Sequence, residues 1–541
     1  MRILLANIPW VDKKHPDLRG VRAGSRWPHF QKVFSHAKLP RYIPFPFFMA
    51  IAAADCRNNG YEVRLIDAVA EGMDFDDFFD KAAEFSPQIV FAETSTPSFC
   101  PDLEALALLK NKLPDAVFVC AGSHSPEFAI RHMNKEHFPD YWIAGEYDLS
   151  LSKFAAFLEG KTAFSDVPGL MAAGKSIPAF ASIETPDSLP TPLFEQLPMQ
   201  HYSDPVCGLP APGAQSWLSR GCPYKCSFCV WPQVIYGNRK YRTREIDTAL
   251  DEVEFLINNY SCESFYFDDD TANIGETRMK ELADKIIARG LDRYPWSMMA
   301  RADCMSHSMI DNLAGAGLYS IKYGVESISE KLLNACDKGT DIDKLKSAIA
   351  KTKELGVKTH LTFTFGLPGE TVDTIKESLD FAIETAPESA QFSICSPFPG
   401  TAFYRECAEK GWLATDDWSR FSGSGEDAVV GTAFLPAAEL KRAYENALSR
   451  WNEFLADRTE KRKTSLRREI AERVALGRKW AFFGDCDFAA FLFDDCLEGY
   501  VEEKGMEDFL VIVSRHDEEK IFRRLLRDRK TCRGDILRLY G

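Results

Sequence analysis

Twice along this chain, short apolar runs alternate with stretches of helical period, and that alternation restricts the fold more than any other feature. A strand that runs parallel to its predecessor needs a crossover of about a dozen or more residues, which a helix supplies. Each series therefore reads as a parallel sheet flanked by helices, the pattern of an α/β chain. The first series occupies residues 1–160, with strands expected at Arg2–Ile8, Glu62–Asp67, Gln88–Glu93, Ala116–Ala121 and Tyr141–Ala144. Between them FPFFMAIAAADCRNNG reads as a helix closed by Gly60, while DFDDFFDKAAEF and PDLEALALLKNKL read as amphipathic helices opened by Asp74 and Pro101. The second series runs over 214–413, with strands expected at Ser216–Ser219, Ser264–Asp268, Trp296–Arg301, Tyr319–Val325, Lys358–Phe365 and Ala390–Cys395. Six such units suggest a partial (β/α)6 barrel of TIM type, where ligands meet the C-terminal strand ends.

The remaining segments are less regular. Residues 161–213 are rich in proline, as in SLPTPLFEQLP, and read as a linker packed along a surface. Residues 414–480 read as helical with alternating charge, the pattern of a solvated face. Residues 481–541 suggest a small α/β unit, with KWAFFG and DFLVIVS as strands, CDFAAFLFDDCLEGYVEEKG as a helix and a basic helix from Asp517. No internal repeat is visible, and GDCDFA has one glycine where a dinucleotide fingerprint needs three.

Charge and cysteine usage narrow the function classes. The 541 residues carry 65 Lys and Arg against 80 Asp and Glu, a formal charge of −15, which argues against a broad nucleic-acid footprint or an acidic membrane surface as partner. No apolar run approaches the ~20 residues of a membrane span, and MRILLANIPW lacks a long signal core, so a cytoplasmic location is expected. Fifteen cysteines are too few for a disulfide scaffold in so long a chain. Three of them, Cys222, Cys226 and Cys229, crowd into RGCPYKCSFCVWP directly after the first strand of the second series. Three thiolates on one short loop can hold three irons of a [4Fe–4S] cluster and leave the fourth iron open to a ligand. The alternative is structural zinc, which wants four ligands; the nearest further candidates are His201 and Cys207.

This C-x3-C-x2-C loop after the first strand of a partial barrel resembles the radical S-adenosylmethionine (SAM) superfamily. The resemblance implies that the open iron is chelated by SAM, which one electron from the cluster cleaves to a 5′-deoxyadenosyl radical that takes hydrogen from carbon. It also implies an external electron donor of flavodoxin or ferredoxin type. Other strand ends fit. YFDDDTAN places Asp268, Asp269 and Asp270 where the family uses polar groups for the methionine moiety, or forms a solvated acidic loop. ARADC offers Arg301, whose fork suits a carboxylate, and YGVES offers Glu326, which in the family hydrogen-bonds SAM. FTFGLPGET carries Gly366 and Gly369 around Pro368, a turn that lets backbone approach a ligand or is simply tight. SPFPGTAFY is similar to the family in wording only.

Upstream, AETSTPSF, CAGSHSPEF and WIAGEYDLSLSKF follow three successive strands with small residues that leave room for a flat ligand at the sheet edge. They resemble the doubly wound, Rossmann-like domain of cobalamin-binding radical SAM enzymes, with Thr94, Ser95, Thr96, Gly122, Ser123, His124, Gly145 and Glu146 at the matching positions. The D-x-H-x-x-G string that supplies a cobalt-binding histidine is missing, since Asp12 and His15 in DKKHPDLRG stand one residue too far apart. In GVRAGSRWPHF, Arg22, Arg26 and His29 with Trp27 either clamp an anionic or planar group or tie the segment to the barrel. Cys486 and Cys496 lack the spacing of a second cluster, and neither G-x-S-x-G after a strand nor a phosphate loop is present.

The resemblance covers roughly residues 1–413 and implies methylation of an unactivated carbon through methylcobalamin. Cobalamin-assisted oxidation, cyclisation or ring rearrangement is the alternative within enzymes, and a cofactor-binding sensor the alternative outside them. The substrate class, by elimination, is a small metabolite, a lipid or a natural-product intermediate. The 39 phenylalanines suit an apolar substrate and equally a large core.

Overall fold

Both series appear as six-stranded sheets in the computed structural model, which describes residues 1–12, 15, 17–24, 28–33, 39–422, 427–475, 480–484 and 509–513. Strand β1 (Arg2–Asn7) is followed by an antiparallel hairpin, β2 (Leu18–Val21) with β3 (His29–Lys32), and then by helix α1 (Phe47–Asn58). The sheet continues through β4 (Glu62–Asp67), α2 (Phe75–Phe85), β5 (Ile89–Ser95), α3 (Phe99–Lys112), β6 (Val117–Ser123), α4 (Pro126–Glu136), β7 (Tyr141–Ile143) and α5 (Ser150–Leu158). Ile3, Leu4, Leu5 and Ala6 are all fully buried, because helices cover both faces of a parallel sheet, and that is why the run lacks alternation. Helix α2 starts at Asp74, whose carboxylate accepts the Asp77 amide at 2.9 Å.

The strand order is β4-β1-β5-β6-β7-β8, where β8 (Leu170–Met171) pairs antiparallel with β7. The order reverses between β1 and β5, so the edge beyond Asn7 and Ser95 is the topological switch point. The proline-rich stretch 161–213 is more than a linker: it supplies β8, and Gln196 accepts the Leu65 amide of β4 at 2.7 Å.

The second sheet is wholly parallel and sequential. It runs β9 (Gly213–Ser216), β12 (Ser264–Phe267), β13 (Trp296–Ala300), β14 (Leu318–Glu326), β15 (Lys358–Phe365) and β16 (Ser389–Ile394). Its first strand lies three residues before the expected Ser216–Ser219. The chain leaves the sheet after Ser216, and β10 (Ser219–Arg220) instead pairs antiparallel with β11 (Arg242–Thr243). The crossovers are helical, and side-chain caps start three of the helices: Ser306 accepts from Met309, Asp341 from Lys344 and Thr371 from Thr374.

After the second sheet, the described residues expected to be helical from 414 make one short turn, Trp418–Arg420, before a long helix at Ala437–Ala475. The chain divides into two compact units, Met1–Leu448 and Ser449–Gly541, so both sheets belong to one unit. In the second unit Trp480–Gly484 and Phe509–Val513 pair in parallel, where two strands were expected. Cys486, Cys496 and the two helices expected in this segment lie outside the described residues. Among the described residues no helix is long and apolar enough to cross a membrane.

Candidate functional site

The cysteine loop is held in shape by side chains that do not belong to it. Gln233 donates from Nε2 to the carbonyls of Cys226, Ser227 and Cys229 at 3.4, 3.1 and 2.8 Å, while its Oε1 accepts the Ala402 amide at 2.8 Å. The Ser227 amide donates to the Cys336 carbonyl at 2.8 Å. Cys222, Cys226 and Cys229 are unpaired and part-exposed, and Cys222 Sγ lies 3.3 Å from Thr271 Oγ1. Burial raises the Cys226 thiol pKa, and the nearby Lys338 and Arg301 charges act against that rise. Among the described residues no three His, Cys, Asp or Glu side chains converge on one point as ligands of a single metal ion. A cubane offers each thiolate its own iron, which is the donor set present.

The acidic residues after β12 divide their tasks. Asp269 is fully buried and accepts the Leu218 amide at 3.0 Å together with the Ser219 hydroxyl. Asp270 accepts the Gly221 amide and the Tyr236 hydroxyl, both at 2.8 Å. These two carboxylates, expected as ligand contacts, therefore shape the approach to Cys222. Asp268 instead helps wall a small, part-open cleft with Phe48, Trp217, Arg220, Trp231 and Tyr236.

Arg301 and Glu326 are brought to the same edge. Arg301 forks onto Asp303 at 2.7 and 3.1 Å, reaches the Lys338 carbonyl at 3.2 Å, and lies 3.8 Å from the centroid of Tyr224, inside the cysteine loop. Its fork is thus occupied by protein groups. Glu326, the last residue of β14, holds φ at +63°, a sparsely populated conformation for a side chain of this size. Its carboxylate accepts Lys338 and the Thr364 hydroxyl, each at 2.9 Å. Lys338 is buried, which works against its charge, yet Glu326 holds its pKa above the usual value. Gly366, beyond β15, donates its amide to Glu370 at 3.2 Å, and burial pushes the Glu370 carboxyl up to about 7.

The edge of the first sheet is lined by hydroxyls, a histidine and the carboxylate of Asp102. Thr94 donates to Asp102 at 2.5 Å, Ser95 and Ser98 hydroxyls meet at 3.0 Å, and Thr96 lies 3.4 Å from the Ser123 carbonyl and from His124 Nδ1. Gly122 is required: at φ +127° a Cβ would stand 2.0 Å from the Thr94 carbonyl oxygen of the neighbouring strand. His124 is fully buried in an aromatic box, stacked on Phe99 at 3.9 Å and against Trp418 at 4.8 Å. Burial drives its pKa down to about 3, so the ring is neutral, and its Nε2 has no protein partner. Burial likewise lifts Asp102 to about 6 and Glu93 to about 7.

Arg22 does not reach the barrel. It pairs with Asp102 at 2.8 Å, both side chains buried, and donates to the Ile8 carbonyl, so it ties the early segment to the first sheet's own edge. His29 stacks on Tyr42, while Arg26 and Trp27 lie outside the described residues. Gly145 pairs with Ala181, and the adjoining Glu146 is fully buried in ion pairs to Arg220 and Arg242. Sequence reasoning missed Arg220, Asp148, Arg242, Gln233 and Lys338. Arg220 and Asp148 stand inside the quoted strings RGCPYK and GEYDLS, but nothing local marks them as partners 72 residues apart.

The family model of the Radical SAM superfamily matches residues 218–382. An uncharacterised methyltransferase of Pyrococcus horikoshii is 26% identical over 386 residues, 70% of this chain and 81% of that protein. The anaerobic magnesium-protoporphyrin IX monomethyl ester cyclase of Cereibacter sphaeroides is 25% identical over 396 residues, 70% of this chain and 62% of that protein. Among solved structures, the radical SAM methyltransferase TsrM of Kitasatospora setae, with cobalamin and a [4Fe–4S] cluster bound, superposes with a TM-score of 0.59. The superposition covers 84% of this chain and 88% of that one at 17% identity, a likeness of fold.

Proposed function

We propose that this chain, which belongs to the radical SAM superfamily, is a cobalamin-dependent enzyme that methylates an unactivated carbon of a small metabolite or natural-product intermediate. The observation that carries the reading is the cysteine loop at the C-terminal edge of one parallel sheet, joined by buried ion pairs to the loop after β7 in another. Cys222, Cys226 and Cys229 would hold a [4Fe–4S] cluster, because they supply three thiols on a pinned loop and no fourth. Glu326, Asp268 and the backbone at Gly366 would surround SAM, with Arg301 fixing the floor through Tyr224. The six sequential strands would form the open barrel around it. Thr94, Ser95, Thr96, Gly122, Ser123, His124 and Gly145 would line the cobalamin face, and the unpartnered His124 Nε2 supports a polar ligand atom there. When bound, the cluster supplies an electron for opening the SAM sulfonium and cobalamin supplies the methyl group. The protein's own residues orient the reacting carbon and keep water out.

A flavodoxin or ferredoxin type donor would deliver the electron, and a cytoplasmic setting suits both thiolates and donor. A second reading is favoured by one comparison: the aligned cyclase of Cereibacter sphaeroides points to ring closure without methyl transfer. The test is anaerobic reconstitution with iron, sulfide and cobalamin, then product analysis with SAM, reductant and candidate substrates. About four irons and one cobalt per chain, with S-adenosylhomocysteine formed alongside 5′-deoxyadenosine, is the expected result. Deoxyadenosine without matched homocysteine would move the reading to cyclisation, and four irons without cobalt would remove cobalamin from it.

A further inference from the structure

Two residues before Cys222, the chain is fastened to the other sheet. Arg220 donates to both oxygens of Asp148, each at 2.9 Å, and to Glu146 at 3.3 Å, in the loop that follows β7. The second Glu146 oxygen accepts Arg242 and, at 2.9 Å, the Ile183 amide. Arg220 and Arg242 face each other across the β10–β11 pair, and all four charged side chains are at most 6% exposed. The Arg220 guanidinium also lies 4.3 Å from the Phe48 ring centroid and 4.7 Å from that of Trp217. It therefore has a defined direction as well as defined partners.

No slack separates this anchor from the first cysteine. Gly221 sits at φ +87°, where a Cβ would lie 2.0 Å from the Lys240 carbonyl oxygen, and its amide is held by Asp270. Apolar packing alone would hold two parts of a domain together as well as a buried ion network does, since burying charges gains little net stability. A bidentate guanidinium adds fixed distance and angle, which packing does not.

We propose that Arg220 is a positioning residue that sets the cysteine loop, and with it the electronic environment of the cluster, from the loop after β7 in the first sheet. The inference rests on reading Cys222, Cys226 and Cys229 as cluster ligands and extends it: the redox behaviour of the cluster is governed in part by Glu146 and Asp148, about 70 residues upstream. Coupling of this kind is reciprocal, so a ligand seated at Gly145 biases the cysteine loop as much as the loop biases that ligand.

The test uses the full chain, reconstituted anaerobically, as wild type, Arg220→Lys, Arg220→Gln and Asp148→Asn. Iron per chain, the cluster midpoint potential by redox titration and the electron paramagnetic resonance of the reduced cluster are read alongside the melting temperature. The expected result is iron content near wild type in Arg220→Lys, because the three ligands are intact. Its redox equilibrium shifts at least tenfold, 59 mV for one electron. Asp148→Asn should shift it in the same direction, and Lys should not rescue, because one ammonium cannot span two carboxylate oxygens as the fork does. Unchanged potential and spectrum in folded, iron-loaded variants would overturn the proposal, as would failure of all three variants to fold, which marks a purely structural role. A wild type that takes up no iron would overturn the cysteine reading itself, a result separable from the other two.

Discussion

The C-terminal edges of the two sheets bury polar groups in different proportions of neutral and charged contacts. At the edge of the first sheet hydroxyls bonded to one another surround a neutral His124, driven down to about 3, and burial lifts Glu93 to about 7 and Asp102 to about 6, with Asp102 still ion-paired to Arg22. Around the cysteine loop the charges are kept and paired, Lys338 with Glu326, Arg301 with Asp303 and Arg220 with Asp148. An edge made mostly of neutral donors and acceptors suits a large ligand held by shape and many weak contacts. An edge of rigid ion pairs suits thiolates and a zwitterion, whose charges need a preset field.

Breaking one edge should leave the other standing. Cys226→Ala is expected to drop iron from about four per chain to below one while cobalt uptake persists, measured on one anaerobic preparation. Loss of both metals together would mean the edges form one site. On the charged side, Lys338→Met strands Glu326 in the interior and should cost about 3–5 kcal/mol in denaturant unfolding, with Glu326→Gln added to the same chain recovering a large part. No recovery would mean that Lys338 acts through its carbonyl contact with Gly324 instead.

The neutral side is probed by pH. His124 binds a proton less readily folded than unfolded, so its contribution is complete above pH 6.5 and is lost as pH falls from there toward 3, at about 1.4 kcal/mol per pH unit. The cofactor-free His124→Phe protein should lack that component, and identical acid titration curves for variant and wild type would show the ring already charged. The smallest effect is expected at Gln233→Ala, about 1 kcal/mol in unfolding and iron content preserved, since each bond it makes to the loop is an ordinary neutral one. Iron loss there would make Gln233 part of cluster assembly.

How much of this was legible in the sequence depends on the range of the interaction. Strands β1, β4 and β15 stand where buried apolar runs place them, and the cysteines are adjacent by spacing alone. Trp217 and Leu218 read as strand because they are apolar, yet their burial comes from packing beside the sheet, so β9 ends at Ser216. Asp269 and Asp270 were legible as polar groups at a strand end, but their partners, the Leu218 and Gly221 amides, lie about 50 residues away. Lys338 had no signal at all: it follows a short helix in DKGTD and acquires meaning only opposite Glu326.

Trp418 closes the aromatic box over His124 and also meets Phe99 and Phe128 edge-on, yet it is added to the chain about three hundred residues after them. At about 5–20 residues per second, a ribosome needs roughly 15–60 s to deliver it. Throughout that interval the rings of Phe99, His124 and Phe128 lack the side chain that covers them. A chain cut short before residue 418 would keep those rings uncovered permanently, with the solubility problems an exposed aromatic patch brings.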